Sequence, residues 1–217
     1  MQKICFFDLD GTLVDSLPGI ARSLSFATGI TNTPDFTNRV RKLIGPPVLE
    51  MLRELLSDSA DVEIEPVLRR FRSHYDLCGV NDSPLFPGVL EALNAISGGR
   101  HRLFVVTNKP QDAALKVLKN NNILEAFERV VAGDVSVHSD TAGRVSSKRD
   151  RAMALAAQIG TSVDFFVGDS PDDLDAADAV QCRFVAACWG YGVDRLSNSR
   201  DDMERVFSAR ELPAVLS

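Results

Sequence analysis

Short apolar runs that stop abruptly in polar residues constrain this chain more than any other feature of it. Ile4-Cys5-Phe6-Phe7 ends in Asp8, Leu103-Phe104-Val105-Val106 ends in Thr107-Asn108-Lys109, and Phe165-Phe166-Val167 ends in Gly168-Asp169. Runs this short without alternation read as strands buried on both faces, as in a parallel sheet covered by helices on each side. In open sheets of that kind ligands bind just past the carboxyl ends of the strands. The polar residues that close these runs are therefore the candidates for chemistry.

Expected strands at 102–106, 129–132, 164–167 and 183–187 alternate with expected helices at 111–120, 149–159, 172–180 and 200–209. That alternation predicts an α/β fold, a Rossmann-like doubly wound parallel sheet. The first connection is out of scale. Positions 8–101 separate the first two strands, whereas a parallel crossover needs only about a dozen residues. Helical patterns near 17–28, 35–43, 47–56 and 62–78 fill the gap, broken by Gly29, by Gly45-Pro46-Pro47 and by a polar stretch at 57–61. Either Asp15 or Ser16 suits the N-cap of the first, ahead of Pro18. With 88–97 as the true crossover helix, residues 16–83 read as a helical cap inserted into a core of 1–15 and 84–217. Residues 133–147 have no helical period and are expected to form a loop or small hairpin near the site.

The chain has 217 residues, 45% of them hydrophobic, enough for a substantial core in one or two domains. Its net charge of -6, with no run of Lys and Arg, opposes binding to a nucleic acid polymer or an anionic membrane. The four cysteines form no C-x-x-C and read as thiols in a reducing compartment. No apolar run reaches membrane-spanning length, and the N-terminal apolar stretch is too short for a signal-peptide core, so a cytoplasmic location is expected.

Asp8 and Asp10, two apart, point the same way if the backbone stays extended, and Gly11 permits a tight turn beside a ligand. An acidic turn explains Asp-x-Asp-Gly equally well. A calcium loop does not, because Leu13 and Gly19 stand where an EF-hand needs glycine and an acid. Thr107 and Asn108 suit either an anion site or the cap of the helix after Pro110. Asp169, with Asp172 or Asp173, would bring four carboxylates to one sheet edge, where they repel unless a cation is present. Hard oxygen ligands with few histidines or thiols nearby favour Mg²⁺. Lys148 is the only lysine after Lys119; it is either a solvated helix-start lysine or the fixed positive charge a phosphoryl site needs. His74 reads as a helix-surface residue and His138 as part of a solvated loop. Arg41, near Gly45, is a candidate clamp for a substrate anion. Trp189 and Tyr191 either line the site's mouth or pack the last strand's loop.

In order, Phe7-Asp8-Leu9-Asp10-Gly11-Thr12-Leu13-Val14-Asp15-Ser16, Val105-Val106-Thr107-Asn108-Lys109, a lysine, and Val167-Gly168-Asp169-Ser170-Pro171-Asp172-Asp173 resemble the haloacid dehalogenase superfamily. The resemblance spans essentially the whole chain. Leu43-Ile44-Gly45-Pro46-Pro47, Leu85-Phe86-Pro87-Gly88 and Trp189-Gly190-Tyr191-Gly192 are similar to its phosphoglycolate phosphatase-like branch. It implies that Asp8 is the nucleophile and Asp10 the general acid and then base. Thr107 and the backbone at Gly11 and Thr12 would hold the phosphoryl group, with Asn108 nearby. Lys148 would pair with Asp8. Asp8, the Asp10 carbonyl and Asp169 would hold Mg²⁺, with Asp173 supporting the metal or Lys148. The implied activity is Mg²⁺-dependent hydrolysis of a small-molecule phosphate ester through an aspartyl-phosphate. A phosphomutase using the same intermediate is the alternative, and Thr12, where sugar phosphomutases often carry valine or isoleucine, weighs against it. A phospho-accepting signalling domain would keep its acids and acceptor on separate strands without a large insertion.

Overall fold

The structure, a computed structural model, describes residues 2–57, 62–98, 101–133, 147–196 and 203–217. Six strands, β1 (Ile4–Phe7), β2 (Arg102–Pro110), β3 (Arg129–Gly133), β4 (Phe165–Gly168), β5 (Arg183–Ala187) and β6 (Glu204–Val206), form one sheet in the order β3-β2-β1-β4-β5-β6. Every neighbouring pair is parallel. All four β1 side chains are buried, as the unbroken apolar run requires. Phe6 faces one side of the sheet, edge-on to Phe104 and Phe166 at centroid separations of 5.6 and 6.1 Å, while Cys5 and Phe7 belong to the core on the other. Because β1 is flanked by β2 and β4, the strand order reverses beside it, and a crevice opens past its carboxyl end.

Helices α1 (Leu17–Thr28), α2 (Pro34–Leu43), α3 (Val48–Leu55) and α4 (Ile64–Leu77) follow β1 and pack on one another. Gly29 closes α1 with φ +77°, and Thr33 caps α2 by accepting from Phe36 N–H. Ser16 is the α1 N-cap residue, but its side chain makes no capping bond; Asp15 accepts instead from the Tyr191 hydroxyl. The chain leaves for these helices and comes back from them side by side: Asp15 N–H donates to Pro84 O at 2.8 Å and Phe86 N–H to Leu13 O at 3.1 Å.

Helices α5 (Val89–Gly98), α6 (Gln111–Asn120), α7 (Lys148–Ile159) and α8 (Pro171–Ala179) alternate with the remaining strands, α7 and α8 packed together. The chain end departs from expectation. Of the expected helix over 200–209, residues 200–202 lie outside the described residues, and residues 204–206 form β6 instead, with Ala187 level with Val206 on the open edge of β5. Unsatisfied backbone groups on that edge outweigh the helix propensity of Met203-Glu204-Arg205. A short α9 (Val193–Leu196) precedes β6, and α10 (Leu212–Val215) follows it. The anticipated 133–147 loop or hairpin and His138 fall, but for Gly133 and Ser147, outside the described residues.

Candidate active site

After Phe7 the backbone makes a single helical turn, with the N–H groups of Thr12, Leu13 and Val14 all reaching the Leu9 carbonyl. Gly11 sits in it at φ +88°, and a Cβ there would lie 2.6 Å from the Asp169 carboxylate oxygens. Only glycine lets the β1 turn and the β4 end approach this closely. The structure thus brings Asp8, Asp169 and Asp173 together, each buried, with one oxygen of each within 4.8 Å of the others.

Their hydrogen bonds divide the three acids. Asp173 Oδ2 accepts from Asp169 N–H (3.1 Å), Ser170 N–H (2.9 Å) and the Ser170 hydroxyl (2.6 Å), and its Oδ1 accepts from Lys148 Nζ at 2.6 Å. Asp169 Oδ2 accepts from Tyr191 N–H and Gly192 N–H at 2.7 and 2.8 Å, while among the described residues Oδ1 has only a long bond from the Thr12 hydroxyl, 3.4 Å. Asp8 Oδ1 has Lys148 Nζ 2.9 Å away as an ion pair but no aligned hydrogen bond among the described residues. Burial and the nearby Asp173 raise the Asp8 carboxyl well above the ordinary carboxylate range, against the pull of Lys148. Burial and Asp173 likewise push Asp169 up to about 7. Burial acts to lower the Lys148 pKa, and Asp173 and Asp8 outweigh it, so the ammonium stays charged.

A buried, under-bonded Asp8 oxygen beside a half-bonded Asp169 oxygen is a hard-oxygen donor set that suits Mg²⁺. The raised carboxyls predict a stability response. Between the ordinary carboxylate value and about pH 7, folded Asp169 holds a proton that the unfolded chain releases. Metal-free protein should therefore lose stability as pH rises through that window. At pH 8, Mg²⁺ at about a hundred times its dissociation constant should restore about 2.7 kcal/mol. Thermal melts with and without chelator at pH 5 and 8 measure this; no Mg²⁺ response at pH 8 would contradict the metal assignment.

Asp10 lies apart from this cluster. Its carboxylate is held by Lys109 Nζ at 2.9 and 3.2 Å. Lys109 belongs to the irregular end of β2, where the register with β3 shifts between Val106 and Pro110, the kind of bulge that re-aims side chains beside a site. Thr107 precedes it, buried, its hydroxyl accepting from Lys109 N–H at 3.2 Å. Asp8, Asp10, Thr107, Asn108 and Lys109 line a cavity of about 390 Å³ whose opposite wall comes from α1, α3, α4 and the loop before α3. Lys148 instead lines a smaller cavity that shares Pro47 and Asn108 with it.

Several expected side chains have other work. Asn108 donates to Gly45 O and Asp172 Oδ2, both at 2.9 Å, and accepts from Arg151. Arg41 stacks on Tyr191, its guanidinium carbon 5.3 Å from the ring centroid, and is not among the cavity-lining residues. Trp189 Nε1 donates to Thr12 O at 3.0 Å, so this ring packs the loop after β5. His74 lies against Ser23, 3.0 Å away, and stacks on Phe26, within the helical layer. Two cavity arginines, Arg151 and Arg72, were not singled out as site residues from the sequence. Arg151 is three positions after Lys148 and hence on the same helix face, a spacing that could have flagged it. Arg72 of α4 gave no such signal.

A family model described as haloacid dehalogenase-like hydrolase matches residues 5–187. A phosphoglycolate phosphatase of Vibrio vulnificus (strain YJ016) is 31% identical over 228 aligned positions, covering 99% of this chain and 96% of its own. Tyrosine-protein kinase PtkA of Mycobacterium tuberculosis H37Rv is 32% identical over 194 positions, 88% of this chain and 63% of its own length. Among solved structures, a predicted phosphoglycolate phosphatase from Haemophilus somnus 129PT aligns with a TM-score of 0.81 at 26% identity, covering 100% of this chain and 98% of that one. The motif order, the reversal of strand order at β1 and these matches agree: the chain belongs to the haloacid dehalogenase-like hydrolases, in their phosphoglycolate phosphatase-like branch.

Proposed function

We propose that this chain hydrolyses small phosphomonoesters with Mg²⁺ through an aspartyl-phosphate on Asp8. The observation that carries the reading is that two acids from one short turn are held by different cations, Asp8 by Lys148 and Asp10 by Lys109. Asp8 Oδ attacks phosphorus as the bond to the leaving oxygen breaks, and Asp10 gives that oxygen its proton. Asp10 then takes a proton from water as the water oxygen attacks the phosphoryl group, freeing phosphate and restoring Asp8. Thr107 and the backbone after Asp10 hold the phosphoryl oxygens. Lys148 neutralises Asp8 and is kept in place by Asp173. Bound by Asp8, Asp169 and the Asp10 carbonyl, Mg²⁺ would reduce repulsion between Asp8 and an anionic phosphoryl group.

Residues 16–83 act as a cap over the leaving group, entered after Asp15 and left at Pro84. Tyr75, Leu68, Phe71, Met51 and Ile44 give the cavity an apolar wall, interrupted by Arg72, whose Nε is buried with no hydrogen-bond partner among the described residues. An unpaired buried guanidine N–H favours a leaving group that carries its own anion. Arg72→Gln should therefore lower kcat/KM about 10- to 100-fold for such an ester, the worth of one charge-assisted hydrogen bond, and far less for a neutral alkyl phosphate. Equal losses on both would remove Arg72 from substrate recognition. The reading as a whole is tested by phosphate release from a panel of carboxylated, sugar and nucleoside monophosphates in Mg²⁺; no release from any member would overturn it.

A further inference from the structure

We propose that Lys109 is a positioning residue for Asp10 and is itself fixed by Tyr75 of α4, so that proton transfer to the leaving oxygen depends on the seating of the helical layer. This rests on the phosphatase reading above and assigns a function to an ammonium that hydrolysis by Asp8 and Asp10 leaves without one. The Lys109 side chain is 4% exposed, and its ammonium touches both Asp10 oxygens. The same nitrogen donates to the Tyr75 hydroxyl at 2.7 Å and lies 4.6 Å from the Tyr75 ring centroid. The Tyr75 hydroxyl in turn meets Ser83 Oγ at 3.3 Å, beside the point where the chain returns to the sheet. Asp10, Lys109 and Tyr75 all line the cavity.

One cation spanning both carboxylate oxygens fixes the plane of the carboxyl group and therefore the direction of its proton. When Asp10 releases that proton to the departing oxygen, the negative charge left behind develops against a cation already in place, which needs no reorganisation. Tyr75 comes from the inserted helices, so with α4 displaced Lys109 loses one hydrogen bond and a ring face, and Asp10 loses its fixed orientation. A rival role, direct binding of the phosphoryl oxygens by Lys109, predicts a different pattern: it would serve every ester alike, whereas a positioned acid matters only when the leaving oxygen needs a proton.

The experiment compares phenyl phosphate, whose phenoxide leaves poorly unprotonated, with 2,4-dinitrophenyl phosphate, whose leaving group departs as the anion. The readout is kcat/KM in Mg²⁺, which reports only the steps up to the aspartyl-phosphate. K109M should lose about 100-fold on phenyl phosphate, the lower range for one general acid, and no more than about threefold on the dinitrophenyl ester. Y75F, which keeps the ring and the Lys109–Asp10 pair, should show the same selective loss at about tenfold, and it carries the test if K109M does not fold. K109R should recover part of the phenyl phosphate rate. Equal losses on the two esters, or none on phenyl phosphate, overturn the inference while leaving the phosphatase reading standing. A wild-type enzyme inactive on both esters and on every member of the panel above overturns both.

Discussion

Asp8→Asn is expected to cut phosphate release by at least about 10⁴-fold, the scale of loss when a covalent nucleophile is removed, while leaving the fold intact. The amide keeps the shape of the carboxyl group but cannot form the acyl phosphate. Its effect on stability separates chemistry from folding. Asp8 is buried beside Asp173 and Asp169, and in the absence of metal its charge is disfavoured there. A neutral amide relieves that repulsion, so metal-free D8N should melt no lower than the wild type at pH 8, and Mg²⁺ should stabilise it less. Retention of more than about a hundredth of the activity would refute the nucleophile assignment, since deleting a nucleophile costs far more than that.

Lys148→Met should produce the largest loss of stability. Lys148 is the close cation of both Asp8 and Asp173, its side chain is 2% exposed, and its ammonium is 2.6 Å from one and 2.9 Å from the other. Methionine preserves most of the stem and its packing but leaves two buried carboxylates without their cation. Breaking a buried pair from one side costs about 3–5 kcal/mol, which for a chain of this size lowers the melting temperature by about 6 to 20 °C. Asp173 then loses the bond that directs it, so activity should fall with stability. Adding Asp173→Asn to Lys148→Met should return part of the stability and none of the activity. A single-variant loss below about 1 kcal/mol, within the range of exposed pairs, would show that the pair contributes little.

The fold was legible where the hydrophobic period had one solution. The unbroken apolar runs at Ile4–Phe7 and Phe165–Val167 read as two-face-buried strands, and Gly29 and Gly45-Pro46-Pro47 punctuate the first three helices where the structure breaks them. It was not legible at residues 204–206, because a three-residue strand is too short to show alternation and its reason for forming is the open edge of β5, which lies elsewhere in the chain. The same division runs through the site. Asp8, Asp10, Thr107 and Asp169 follow directly from strand ends, and Lys148 stood out as the sole late lysine. The partners of those groups did not: Tyr75 reaches Lys109 across 34 positions, and Asn108 reaches Gly45 across 63. Arg41 lies near Gly45 in sequence, yet its guanidinium stacks on Tyr191, a partner no local pattern reveals.

The turn before α3 is hydrogen-bonded to the sheet side through backbone carbonyls. Arg195 of α9 donates to the carbonyls of Lys42 and Ile44, both at 2.6 Å, and Asn108 donates to that of Gly45. No side chain of residues 46–49 takes part in these bonds, although Pro46, Pro47, Val48 and Leu49 all face the cavity. Attachment and cavity lining are thus carried by different atoms of one stretch of chain. Exchanging these four side chains, two before α3 and two in its first turn, is expected to reshape the space above Asp8 while leaving those backbone bonds in place, so this stretch is where a laboratory selection for a new substrate has the widest room to move.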